Sequence, residues 1–217
     1  QSLREALDRR VGVAVGIFCA GTPSTRGTLD LLRKARIEPG EVAEIRYRGK
    51  GWPGMAEVRR AGEASPSCRM SYQDSWGFLE RYRPFRCHLC PDGTGEFSDI
   101  SCGDPWYREP REGEAGSSLV VARTERGREI LRGAVREGYV RLRRVPDALL
   151  EASQRNLLRR RRSVWGRIAA MRAMLVPSPV MRGFHLFSNW LDGGPGIQAR
   201  SILGTLKRIV VRGYHKP

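Results

Sequence analysis

The stretch Cys87-His88-Leu89-Cys90-Pro91 sets two thiols three positions apart, and Cys19 and Cys102 offer two more at a distance. A C-x-x-C turn points both sulfurs to one side, at the spacing that zinc and iron–sulfur sites use. The same spacing serves redox disulfides, but those sit at a helix start in a βαβ setting. Here Pro84 and Pro91 bracket the pair and Gly93 and Gly95 follow, so it reads as a loop wrapped around a metal. Which metal stays open. Zinc would take four closed ligands from Cys19, Cys87 and Cys90 with Cys102 or His88. An iron–sulfur cluster would accept distant thiolates, and Cys90-Pro91 matches the Cys-Pro that ends ferredoxin motifs. Cys68 stands outside any ligand spacing and reads as incidental.

A second chemical feature is Arg48-Gly49-Lys50-Gly51-Trp52-Pro53-Gly54. Its glycines permit a tight turn, and bare N–H groups between Arg48 and Lys50 would equally cradle a phosphate. It has neither the Walker spacing nor G-x-G-x-x-G. The formal charge of +16, from 39 Lys and Arg against 23 Asp and Glu, creates a field that attracts anions. Nucleic acid, an acidic membrane surface, an acidic partner and a polyanionic cofactor all fit that field. Aromatic residues are not interleaved with Arg159-Arg160-Arg161-Arg162, which argues against base stacking and leaves the run as a solvated helix face.

The elements that must hold these residues alternate. Val11 to Phe18 is a continuous apolar run suited to a buried central strand, with Cys19 at its C-terminal end, where open α/β sheets place ligands. A helix follows with Leu29, Leu32 and Ala35 on one face. Strands are expected around Ala43–Tyr47 and Met55–Arg59, then a loop from Ala61 to Ser71 and a short helix over Ser75–Tyr82 with Trp76 and Leu79 inward. Leu119–Ala122 reads as a strand. Thr124 caps a helix that Gly138 ends, and Val140 and Leu142 begin another strand. The class is α/β: a mixed-sheet core with flanking helices, a cysteine-bearing cluster loop and a basic helical C-terminal extension. Residues 1–146 form the first domain. Residues 147–217 form the extension, where Leu150, Leu157, Val164, Ile168, Met171 and Leu175 make a helical stripe. Phe184, Leu186, Phe187 and Trp190 then form an apolar cluster, and Ile202–Val211 is a basic amphipathic segment compatible with membrane-surface or partner contact. No apolar run nears the roughly 20 residues that span a bilayer. Five cysteines without regular spacing point to a reducing cytoplasm.

Taken together, these residues resemble the beta-subunit family of coenzyme F420 hydrogenases and dehydrogenases, especially its C-terminal domain. The resemblance rests on Val15-Gly16-Ile17-Phe18-Cys19, Ile45 through Gly51, Cys87-His88-Leu89-Cys90, Asp99-Ile100-Ser101 with Gly103-Asp104, and Val121-Ala122-Arg123-Thr124 with Gly127. They span roughly residues 1 to 140 in the family's order. The resemblance implies an oxidoreductase subunit with FAD and one 4Fe-4S cluster. It would carry electrons between a redox partner, such as hydrogenase-type subunits, and the anionic deazaflavin coenzyme F420 or a related acceptor. It assigns Cys19, Cys87 and Cys90 to the cluster, and Arg48, Gly49, Lys50, Gly51, Asp99, Ser101 and Asp104 to the flavin pocket. Asp99 and Asp104 also have a plain reading as turn or cap residues. The family's remaining thiolate comes from a Pro-Cys-Gln turn, of which Gln1 would be the glutamine. The expectation is a fragment cut directly after its fourth ligand and inactive alone; the alternative, less favoured, has Cys102 as the fourth ligand. The contrasting reading is a zinc-stabilised basic module that binds nucleic acid or membranes.

Overall fold

A computed structural model describes residues 10–111 and 113–212. Gln1, and with it the expected Pro-Cys-Gln turn, lies outside the described residues. The strands are β1 (Val15–Ile17), β2 (Val42–Arg46), β3 (Ala56–Arg60), β4 (Cys68–Met70), β5 (Ile100–Gly103) and β6 (Leu119–Ala122). The first helices are α1 (Thr25–Lys34), α2 (Tyr72–Leu79), α3 (Phe85–Leu89) and α4 (Glu125–Arg136). Then come α5 (Asp147–Ser153), α6 (Arg155–Ala173), α7 (Leu186–Leu191) and α8 (Gly194–Arg212). The expected mixture of helix, strand and mixed sheet is what the chain forms. It divides into two compact units, one of Gln1–Ala20, Leu89–Tyr107 and Ser118–Pro217, the other of Gly21–His88 and Arg108–Ser117.

The first unit holds the sheet β1-β5-β6. β1 runs parallel to β5, with Val15 opposite Ile100 and Ile17 opposite Cys102, and β5 pairs antiparallel with β6. The run expected to be a buried central strand is instead a three-residue edge strand, with Val15 62% and Ile17 75% exposed. Its apolar residues fall on alternate positions, and β5 is its one partner among the described residues, so only one side of its ladder is filled. Thr124 caps α4 as expected, its Oγ1 accepting from the Gly127 N–H at 3.1 Å. Val140 and Leu142 form no strand. Gly138 turns at φ 78°, and the N–H groups of Tyr139 and Val140 donate back to the Ala134 carbonyl at 2.9 and 3.4 Å, so donors that a ladder would need close the helix end.

In the same unit α6 packs against α7 and α8. Leu157, Val164, Ile168 and Met171 of the helical stripe are buried, and Ile209 and Thr205 of α8 are fully enclosed. Each large buried apolar side chain contributes about 1.5–3 kcal/mol relative to exposure. Leu175 departs from the stripe: it is 93% exposed, at φ 55° past the end of α6. Trp165, Phe187 and Trp190 form a ring cluster, with Trp165 and Trp190 centroids 4.5 Å apart.

The second unit is built on the antiparallel sheet β2-β3-β4. Leu32, Ile37 and Val58 make its core, with Ala35, Val42, Ile45 and Cys68 packed against them. β4 replaces part of the loop expected between Ala61 and Ser71. Cys68 on β4 lies opposite Val58 of β3 and is occupied with packing, in keeping with its incidental reading. The C-x-x-C segment, also expected to be loop, begins on a helix. The Cys87 N–H donates to the Pro84 carbonyl at 2.9 Å, and the proline sits at the start, where a missing donor costs nothing.

Candidate functional site

Two cysteine-bearing segments meet in the first unit. Beyond β1 the Phe18 N–H continues the ladder to the Cys102 carbonyl at 2.7 Å, and the next N–H, of Cys19, leaves it for the Gly93 carbonyl at 2.8 Å. This switch holds Cys19 against the loop that follows Cys90. That loop has its own fastenings: the Cys90 thiol donates to the Asp92 carbonyl at 3.4 Å, and the Glu96 N–H donates to Asp92 Oδ1 at 2.8 Å. Cys87 belongs to the second unit, with Sγ 3.6 Å from Thr22 Oγ1. All five cysteines are free and partly buried. Burial pushes the Cys102 thiol up, which favours its protonated form over a ligating thiolate. Among the described residues no three His, Cys, Asp or Glu side chains gather as they would around one ion.

In the second unit the glycine turn is conformationally committed. Gly49, Lys50 and Gly51 stand at φ 125°, 57° and 110°, a left-handed path for which the glycines are needed. A side chain at Gly54 would strike the Gly49 backbone at 2.4 Å, so the turn closes on itself. Arg48 stacks its guanidinium 4.9 Å from the Tyr72 ring and donates through Nε to the Pro53 carbonyl at 3.2 Å. Lys50 Nζ lies 3.7 Å from Glu57 Oε2 yet keeps 67% of its side chain exposed. Glu57 also pairs with Arg46, and with Arg69 at 3.2 Å. A cavity of about 260 Å³ lies here, lined by Glu44, Arg46, Lys50, Glu57 and Arg59 among others. Cations predominate on its wall, and the two carboxylates are already paired.

Asp99 and Ser101, in the first unit, are tied into the fold. Asp99 Oδ2 accepts the Ala14 N–H at 2.9 Å, and Oδ1 accepts the Thr124 hydroxyl at 2.6 Å. The Thr124 hydroxyl, then the Ala14 amide, hold this carboxyl below its ordinary range. Ser101 is fully buried and accepts Arg123 Nε at 3.0 Å, while Arg123 Nη2 donates to the Thr94 carbonyl and hydroxyl. Asp104 offers its carbonyl to Gln154 Nε2 at 2.8 Å.

The arginine run overturns one expectation. Arg159 is exposed, but Arg160, Arg161 and Arg162 are half-buried. Arg161 forms a two-pronged pair with Glu96, at 2.5 and 3.1 Å, and Arg160 donates to the Cys19 carbonyl at 2.6 Å and the Ala20 carbonyl at 2.9 Å. These contacts bridge 65 and about 140 residues of chain, a separation that no local pattern encodes. The one hint in the sequence is the density of arginine itself, since the planar fork suits paired carbonyl and carboxylate oxygens.

With this geometry in place, comparison shows that residues 1–148 match the family model for the C terminus of the coenzyme F420 hydrogenase/dehydrogenase beta subunit. No curated protein matches the chain. The matched span contains every residue of the two cysteine segments and of the glycine turn.

Proposed function

Because the chain belongs to the coenzyme F420 hydrogenase/dehydrogenase beta-subunit family, an oxidoreductase-type family, we propose that it is an iron–sulfur flavoprotein subunit. It would pass electrons between a redox partner and coenzyme F420 or a related acceptor. The observation that supports this best is the Cys19 N–H bond to Gly93, which sets one proposed ligand beside the loop of another.

The donor set suits a cluster. Cys19, Cys87 and Cys90 are free thiols, Cys19 just past β1, Cys87 within α3 and Cys90 just past it, and a four-iron cluster is held by thiolates standing farther apart than the ligands of one ion. They are the three ligands of the proposal. Cys102 is the candidate for the fourth within the sequence, at the expense of ionising a thiol that burial keeps protonated. For FAD the fit lies with the Arg48–Gly51 turn, whose backbone amides and exposed Lys50 suit a diphosphate. Asp99 and Ser101, assigned to the flavin pocket by the same reading, fix β5 and the start of α4 within the first unit, and Asp104 fastens the end of that segment to Gln154. When bound, a cluster supplies single-electron transfer and a flavin joins it to hydride chemistry at a deazaflavin.

The chain's own residues then bind and orient. The excess of cations favours the anionic coenzyme and an acidic donor protein, with other hydrogenase-type subunits as partners. The family match ends at residue 148, which supports residues 1–146 as the redox domain and 147–217 as an extension. Membrane-surface contact through the basic extension belongs to the same reading; among the described residues no helix is long and apolar enough to cross a membrane. Five free cysteines accord with a reducing cytoplasm.

The test is analysis of the anaerobically purified protein. The expected result is about four irons per chain and a flavin released on denaturation. Stoichiometric zinc without flavin, together with steeply salt-dependent binding to polyanions, would replace this reading with the basic zinc-module one.

A further inference from the structure

We infer that Arg160 is a positioning residue for the cluster, a cation delivered from outside the family-matched span that holds the Cys19 loop and favours the reduced cluster. The inference rests on the iron–sulfur reading above. Arg160 lies on α6, twelve residues past the end of the match at residue 148. Its two terminal nitrogens are divided between consecutive carbonyls, Nη2 to Cys19 at 2.6 Å and Nη1 to Ala20 at 2.9 Å. The Cys19 N–H is bound to Gly93, so both ends of the Cys19 residue are fastened, one by each partner. Gly93 makes room for this arrangement. A Cβ there would stand 2.8 Å from Arg160 Nη2 and 3.2 Å from Leu157 Cβ.

The cation is therefore within hydrogen-bonding distance of one proposed ligand residue and against the loop carrying another. Reduction adds one negative charge to a cluster, and net charge, hydrogen bonding and exposure set its potential. A fixed, permanently charged guanidinium at this place selects the reduced state, and its fork preserves the geometry of the Cys19 loop. Arg159 is the natural comparison, an adjacent exposed arginine with no part in the Cys19 loop contacts.

The experiment measures iron per chain and the cluster's reduction potential in the anaerobically prepared protein and in R160Q, R160K and R159Q. R160Q keeps donor capacity without charge. It is expected to lower the preference for the reduced cluster by about tenfold, which is 59 mV for a one-electron couple. R160K is expected to keep the potential but retain less iron, because a single ammonium cannot hold both carbonyls. R159Q is expected to match the parent protein. If R160Q does not fold, R160M carries the same test beside Leu157. A cluster-bearing parent whose potential and iron content are unchanged in R160Q or R160M overturns this inference alone. A parent protein with flavin but no iron overturns it together with the cluster reading.

Discussion

Two glycines on α4 should respond to the same substitution with opposite signs. Replacing glycine by alanine inside a helix ordinarily stabilises by about 0.5–1 kcal/mol. At Gly133 an added Cβ meets nothing within 4 Å, so G133A should gain that amount. At Gly127 the Cβ would stand 2.2 Å from the Asp99 carbonyl oxygen and 2.8 Å from its carbon. Ordinary contact begins near 3.4 Å, so backbone must retreat by about 1 Å. That carbonyl accepts the Arg123 N–H at 2.9 Å, and the Asp99 carboxylate holds both Ala14 and the Thr124 cap. Overpacking of this kind costs about 1–3 kcal/mol, and a strained hydrogen bond adds about 1 kcal/mol, more than the helix preference returns. For a chain of this size 1 kcal/mol moves Tm by about 2–4 °C. Thermal unfolding followed by circular dichroism should therefore show G133A melting about 1–4 °C higher and G127A melting lower by several degrees. Equal stability of the two variants would refute the view of Asp99 as the pin between β5 and α4.

Three further outcomes rest on single contacts elsewhere in the fold. The Asp99 carboxyl is held down in the folded state, so its contribution is present above the unfolded value near pH 4 and is lost as pH falls through the folded value. Acid unfolding of D99N should accordingly be less steep below about pH 4 than that of the parent, as read by fluorescence. G166A should destabilise, since the new Cβ would meet Ser201 Oγ at 2.1 Å and Trp190 Nε1 at 2.7 Å; combining it with S201A should recover part of the loss in a denaturant double-mutant cycle. S71A removes the α2 cap, whose Oγ accepts the Asp74 N–H at 3.0 Å, and should cost about 1 kcal/mol in urea unfolding.

What the residues reveal by themselves is local. Thr124 and Gly138 mark both ends of α4, and the spacing of Leu157, Val164, Ile168 and Met171 shows which face of α6 is buried, because caps and periodicity act over a few residues. The edge position of β1 is not legible, since an apolar run looks alike in the centre of a sheet and at its rim. Pro84 has the pattern of a loop boundary, yet it also starts the helix bearing Cys87. The candidate ligands Cys19 and Cys90 are visible as residue types. The bond of Cys19 to Gly93, in the loop that follows Cys90, and the Arg160 clamp on the Cys19 carbonyl depend on contacts far apart in the chain that no spacing expresses.

The central claim is that Cys19, Cys87 and Cys90 hold an iron–sulfur cluster, and it is tested most directly by iron per chain in single alanine variants at Cys19, Cys68, Cys87 and Cys90. The account predicts loss of iron and of visible absorbance in C19A, C87A and C90A, and full retention in C68A, whose thiol packs in the Leu32 and Val58 core. Full iron in any of the first three, each still folded, would contradict it.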